Sequence, residues 1–228
     1  MSQLPVVTRL AVHELWISFR LLVVLAGYVG AGTVVALLPA PLPTTLLRLA
    51  VGVATAMSLG AIVAAWSLSR ERALGRAGWL ATRSVPRTTI LLGWFAALAL
   101  VTLVGVLATG VLGWLAATSA PGRPDPIAFG LTFAGVACGA LALVALGLAI
   151  GSLLAPRPAA IGAALASVVV LGVPWLALPR IALPPESLGR LVDLPSPTAL
   201  ALQGAGAGLV GAAVLLLVAA GALGRVDL

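Results

Sequence analysis

Apolar residues in this chain come in long, nearly unbroken runs, parted by short polar or proline-rich breaks. A run of about 20 such residues, wound as a helix, crosses a hydrocarbon core of about 30 Å. Six runs have that character, at about 17–38, 45–68, 88–117, 127–154, 159–178 and 199–223. The first stops at Pro39, Pro41 and Pro43. Ala155-Pro156-Arg157-Pro158 parts the fourth from the fifth. Proline lacks a backbone donor and ends helices. The runs are apolar all round, as helices embedded in lipid are. The expected fold is an all-α integral membrane protein, one domain over residues 1–228. It has six transmembrane helices preceded by an amphipathic interfacial helix.

That first helix is read at 3–16. At about 100° per residue, Arg9, His13, Trp16 and Arg20 share one face. Leu4, Val7, Ala11, Val12, Leu15 and Phe19 share the opposite arc. Such a helix is expected to lie in the cytoplasmic interface, apolar side in lipid and basic side among headgroups. No cleavable signal peptide is predicted, because the first apolar run is too long and follows a polar start.

Composition agrees with a membrane protein. The chain is 61% hydrophobic and 8% charged, with mean hydropathy +1.19, more apolar surface than a soluble domain can hide. Its net charge of +7 comes from arginine alone. If both termini share a side, that side holds Arg9, Arg20, Arg70, Arg72, Arg76, Arg83, Arg87, Arg157 and Arg225. The other holds Arg48, Arg123, Arg180 and Arg190. The positive-inside rule then puts both termini in the cytoplasm of a multi-pass cell (inner) membrane protein. The basic balance is read as this topological signal and not as nucleic-acid binding. The single cysteine, Cys138, excludes an intrachain disulfide.

Residues 69–87 form a polar island between the second and third runs. On a helix Arg72, Arg76, Trp79 and Arg83 would make one stripe. Two readings of it stay open on physical grounds. The stripe faces phosphates, acidic side chains or carbonyls, or it is a solvated positive-inside loop.

The order Glu71-Arg72, Gly75, Leu80, Pro86-Arg87 and Ile90-Leu91-Leu92-Gly93 resembles the cytoplasmic loop of permeases of the type-2 ABC exporter family. The six-span layout, the amphipathic start and the short tail Gly224–Leu228 resemble that family too. One departure is Trp94, where the family often has lysine. The resemblance implies the membrane half of an ATP-driven exporter. Its partners would be a separate cytoplasmic ABC ATPase, which binds ATP and Mg, a second copy or related permease, and the bilayer. It implies that Glu71, Arg72, Arg76, Trp79, Pro86 and Arg87 form or brace a coupling helix against the ATPase. The chain itself is expected to be no enzyme and to hold no cofactor. It has no G-x-x-x-x-G-K-[ST] segment.

Other features narrow the function. Gly206-Ala207-Gly208-Leu209-Val210-Gly211 matches G-x-G-x-x-G but lies inside an apolar run, without the strand a dinucleotide site needs. Gly204, Gly208 and Ala212, with Gly135/Gly139 and Gly147/Gly151, read instead as close helix packing. No acidic residue or histidine falls in mid-span, which disfavours an ion-coupled transporter. His13 reads as part of the interfacial polar face. The hydroxyls of Tyr28, Thr55, Ser58, Thr102, Thr109, Thr132 and Ser167 are expected to bond to backbone carbonyls. Any cavity should be mostly apolar, suiting a hydrophobic, lipid-like or peptide substrate. Pro184–Arg190 predicts a short helix in the outer loop. A membrane scaffold that docks partners through residues 69–87 without transport is the alternative function.

Overall fold

The computed structural model describes residues 3–38, 40–75, 85–119, 125–181 and 197–225. Side chains are described throughout these ranges except at 43, 172–204 and 224–225. The described residues are helical apart from short caps and turns. In chain order the helices are α1 (Leu4–Ile17), α2 (Arg20–Leu37), α3 (Leu42–Ala73), α4 (Arg87–Ser119), α5 (Pro126–Leu153), α6 (Pro156–Ile181) and α7 (Pro197–Arg225). Five segments are long and apolar enough to cross a membrane: Arg20–Leu37, Thr44–Ala73, Arg87–Ser119, Pro126–Leu153 and Ala205–Leu223. In α6 the apolar stretch with described side chains, Pro156–Leu171, is shorter. This is the architecture of an all-α, multi-pass membrane protein.

The breaks follow local chemistry. Phe19 adopts φ 59°, the left-handed region, and separates α1 from α2. This conformation costs a non-glycine residue roughly 1–2 kcal/mol. The amide N–H of Phe19 donates to the Trp16 carbonyl at 3.0 Å. The two-residue link Leu154-Ala155 joins α5 to α6, with Leu154 extended and Pro156 opening the next helix. Pro126 opens α5 behind Asp125, whose carboxylate accepts the N–H groups of Ile127 and Ala128, a side-chain N-cap.

Two features go beyond the sequence reading. The second helix does not stop at Leu68 but runs on to Ala73, so Arg70, Glu71 and Arg72 are helical. No breaker intervenes before Gly75, which takes φ 69° and closes the helix through its N–H to the Arg72 carbonyl at 3.0 Å. Secondly, part of the apolar arc of α1 is covered by protein, while Leu4 and Phe19 of that arc are exposed. Val7, Ala11 and Leu15 are buried, and α1 packs on α4 with Val7 seated on Gly93. The exposed large apolar residues of α1 are Leu4, Val6, Leu10, Trp16 and Ile17.

The core sits where α2, α3, α4 and α5 meet, around Tyr28, Met57, Leu98 and Leu148. Small residues set the crossings. A Cβ on Gly147 would meet the Ala61 carbonyl, and one on Gly151 would lie 2.5 Å from the Ala65 carbonyl oxygen, so α5 and α3 touch backbone to backbone. Gly208 of α7 meets the Cys138 backbone of α5 in the same way. Gly206 and Gly211, the outer glycines of the G-x-G-x-x-G match, have nothing within 4 Å of an added Cβ. The surroundings of Gly204 and the outer-loop helix at 184–190 lie outside the described residues.

Most in-span hydroxyls bond to backbone as expected. Thr55, Ser58, Thr132 and Ser167 each donate to the carbonyl four residues back, at 2.7–3.0 Å. Thr109 lies within bonding distance of the Tyr28 carbonyl at 2.7 Å and the Gly105 carbonyl at 2.9 Å, which pins α4 to α2. The hydroxyls of Tyr28 and Thr102 differ: both are buried with no hydrogen-bond partner. A buried unsatisfied polar group costs roughly 1–3 kcal/mol. Tyr28→Phe is therefore expected to leave the fold intact and raise the thermal midpoint of purified protein by a few degrees, about 2–4 °C per kcal/mol. A fall of similar size would mean that the hydroxyl has a partner, such as an internal water.

Candidate functional site

Arginines of several helices gather at one end of the bundle, because neighbouring helices deliver opposite termini there, while Arg48 lies at the other end of α3. Arg20 starts α2, Arg70 and Arg72 end α3, Arg87 starts α4, Arg157 starts α6, and α7 ends at Arg225. Hydrogen bonds between those termini show that the ends coincide. Arg72 donates from Nη1 to the Gly151 carbonyl in the last turn of α5 at 3.0 Å. Arg87 donates from Nη1 to the Leu223 carbonyl in the last turn of α7 at 2.6 Å. Arg20, 4% exposed, donates to Ser67 Oγ of α3 at 3.2 Å.

The chemistry of helix ends explains these pairings. The carbonyls of a last turn lack intrahelical donors, and the C-terminus carries roughly half a negative charge. A guanidinium answers both at once. Charge-assisted hydrogen bonds of this kind contribute about 1.5–3 kcal/mol. Trp66 adds an aromatic element: the Arg20 and Arg70 guanidiniums lie 5.1 and 5.9 Å from its ring centroid, within cation–π range.

The residues singled out in the sequence occupy this end as follows. Glu71 and Arg72 are neighbours in the last turn of α3; Glu71 is buried and Arg72 half-buried. Pro86 is exposed just before α4, and its carbonyl accepts the N–H groups of Thr89 and Ile90 at 2.9 and 3.2 Å. Arg87 is the first residue of α4. Arg76 and Trp79 lie outside the described residues. The two ends of the 69–87 segment are thus each fixed to a different helix, α5 through Arg72 and α7 through Arg87. Nothing in the sequence spacing announces those two carbonyl partners, which lie 79 and 136 residues away.

The opposite end has different chemistry. Two apolar grooves flank the first turns of α5. One, of about 610 Å³, lies between α3 and α5 and includes Leu49, Val53, Met57, Phe129 and Phe133. The other, of about 640 Å³, lies between α4 and α5 and includes Leu107, Trp114, Phe129 and Phe133. The same aromatic pair divides them, with rings stacked at 4.9 Å, while Trp114 meets Phe129 edge-on at 5.2 Å. Sequence reading anticipated an apolar cavity but not these residues. Asp125, Phe129 and Phe133 recur every fourth position, a spacing that places them on one helix face.

No protein-family model matches this chain, and no curated protein matches it.

Proposed function

We propose that this chain is the membrane-spanning permease subunit of an ATP-driven, ABC-type exporter. In this reading it has six spans, with α6 as the fifth, and α1 lies at the interface with Val6, Leu10 and Ile17 toward lipid. The arginine end faces the cytoplasm. Two such chains, or this chain and a relative, pair around a pathway for a hydrophobic, lipid-like or peptide substrate. ATP and Mg belong to a separate ATPase subunit.

One observation carries the reading: the segment between α3 and α4 is tied at both ends to the bundle. A push on residues 76–84 would act directly on α3 and α4, and through Arg72 and Arg87 on α5 and α7. That is what a mechanical coupler needs, since rigid-body motion must spread over several helices to change access. Glu71, Arg76, Trp79 and Pro86 are then the candidates for contact with, or bracing against, the ATPase.

The test is co-purification in lipid nanodiscs with the ABC ATPase encoded beside this chain. Wild type should bind the ATPase and change its turnover. Arg76→Ala/Trp79→Ala should bind it less well, with the membrane chain still monodisperse. If no ATPase associates, or if turnover ignores the membrane chain, the transport reading fails. A scaffold docking through the same segment then becomes the better account.

A further inference from the structure

Among the described residues Asp125 is the acidic side chain at the end of the bundle opposite the arginine cluster, an end that also holds Arg48; Glu14 and Glu71 belong to the other end. It is exposed and stands at the mouth of the groove between α3 and α5. Its Oδ1 accepts from the Ile127 N–H at 3.3 Å and its Oδ2 from the Ala128 N–H at 3.1 Å. A carboxylate has about four acceptor sites, so capping α5 leaves it able to take another donor or a cation. The positive end of the α5 dipole offsets only about half a charge, which the full carboxylate outweighs.

Moving inward along α5 from Asp125, the groove presents Phe129, then Phe133, then Val136, with Leu49, Val53 and Met57 opposite on α3. No described side chain lining it is basic. Arg48, at the same end of α3, donates to the Leu38 carbonyl at 3.0 Å. Arg123, two positions before Asp125, lies outside the described residues. The groove's volume, about 610 Å³, falls within the roughly 300–1,000 Å³ of small-molecule sites. A bare apolar groove would accept any acyl chain. This one adds an acid at its mouth and an aromatic ring one turn below, the pairing that recognises a positive charge on an apolar body.

We propose that the α3–α5 groove binds a hydrophobic cation, with its charge between Asp125 and Phe129 and its apolar body along Phe133, Val53 and Met57. This deepens the transport reading by naming a substrate class, yet it rests on the geometry of α3 and α5 and is testable without any ATPase. The neighbouring groove is an internal control: it is of similar size and shares Phe129 and Phe133, but has no acid among its lining residues.

The probes are radiolabelled tetraphenylphosphonium and its anionic isostere tetraphenylborate. Binding is measured on the full chain in phosphatidylcholine nanodiscs, after subtraction of empty nanodiscs. Tetraphenylphosphonium is expected to bind saturably and tetraphenylborate is not. Asp125→Asn, which keeps a capping side chain, should weaken the cation by about tenfold, the equivalent of roughly 1.4 kcal/mol. Asp125→Glu should retain most of the affinity. Ala54→Phe, filling the groove, should remove the site, whereas Leu107→Phe in the neighbouring groove should not. Equal binding of both probes, or indifference to Asp125→Asn, would overturn the proposal and leave the groove as a seat for bilayer chains. Loss with Leu107→Phe but not Ala54→Phe would overturn it as well, by moving the site. Because no ATPase is present, these outcomes are independent of whether the chain couples to one.

Discussion

Gly147→Leu is expected to prevent this chain from accumulating as folded protein, while Gly206→Leu leaves it unharmed. The two glycines look alike in the sequence, each inside an apolar run. They differ in what a side chain would meet. At Gly147 the new Cβ would collide with the Ala61 carbonyl, and one turn later Gly151 faces the Ala65 carbonyl. The obstacles are backbone atoms of α3, which cannot rotate aside. Accommodation requires α3 and α5 to separate along the seam that also holds Met57, Val144 and Leu148. Overpacking a well-packed core costs about 1–3 kcal/mol; backbone obstruction together with lost van der Waals contact puts this variant at or above the upper figure. In a membrane close packing is itself a main source of helix association, so no hydrophobic reserve compensates. Size-exclusion chromatography of detergent extracts should show Gly147→Leu aggregated, or melting roughly 10 °C lower if recovered. Gly206→Leu should match wild type, because nothing lies within 4 Å of its added Cβ. Equal behaviour of the two variants would mean that the α3–α5 crossing is not as described.

The same glycines show how far a sequence can be read. Gly147/Gly151 and Gly208 were legible as close-packing positions, because small residues spaced four apart share one helix face and let backbones approach. Five of the six expected spans were legible as long apolar helices, because a bilayer imposes one length and one polarity, and the proline at Pro156 marked the short α5–α6 break. The end of α3 was not. Arginine and glutamate are good helix formers, so a polar stretch need not be a loop, and α3 runs on to Ala73. The burial of Val7, Ala11 and Leu15 of α1 against the bundle was also hidden. Amphipathicity tells which arc is apolar, but not whether lipid or a neighbouring helix covers it. The arginine partners were beyond reach for a further reason: main-chain carbonyls at helix ends are acceptors at every sequence, so no residue type signals them. The hydrophobic runs were informative about the membrane and silent about Asp125, whose significance depends on the groove that α3 makes beside it.

If the chain couples to an ABC ATPase as proposed, Arg72→Gln/Arg87→Gln is expected to uncouple the two without separating them. Each arginine gives a helix C-terminus a charge-assisted donor, Arg72 to α5 and Arg87 to α7. Each such bond contributes about 1.5–3 kcal/mol. Together they tie the two ends of the 69–87 segment to α5 and α7. Glutamine keeps a donor but loses the charge and the reach, so the links weaken while local packing survives. If these side chains instead faced an ATPase, their loss would reduce binding of that subunit first. The intrachain geometry predicts the reverse order. Association in nanodiscs should persist within a few-fold, and membrane-chain-dependent ATP turnover should fall by tenfold or more, as expected from about 1.4 kcal/mol or greater lost in the coupled state. Arg72→Lys/Arg87→Lys should recover part of that loss, since a lysine ammonium retains the charge that answers the helix dipole but not the planar fork. A double variant that loses the ATPase altogether while the bundle stays folded would show that Arg72 and Arg87 contact the partner directly. Unchanged turnover in both variants would show that force does not pass through α5 and α7, and would return the arginines to helix capping alone.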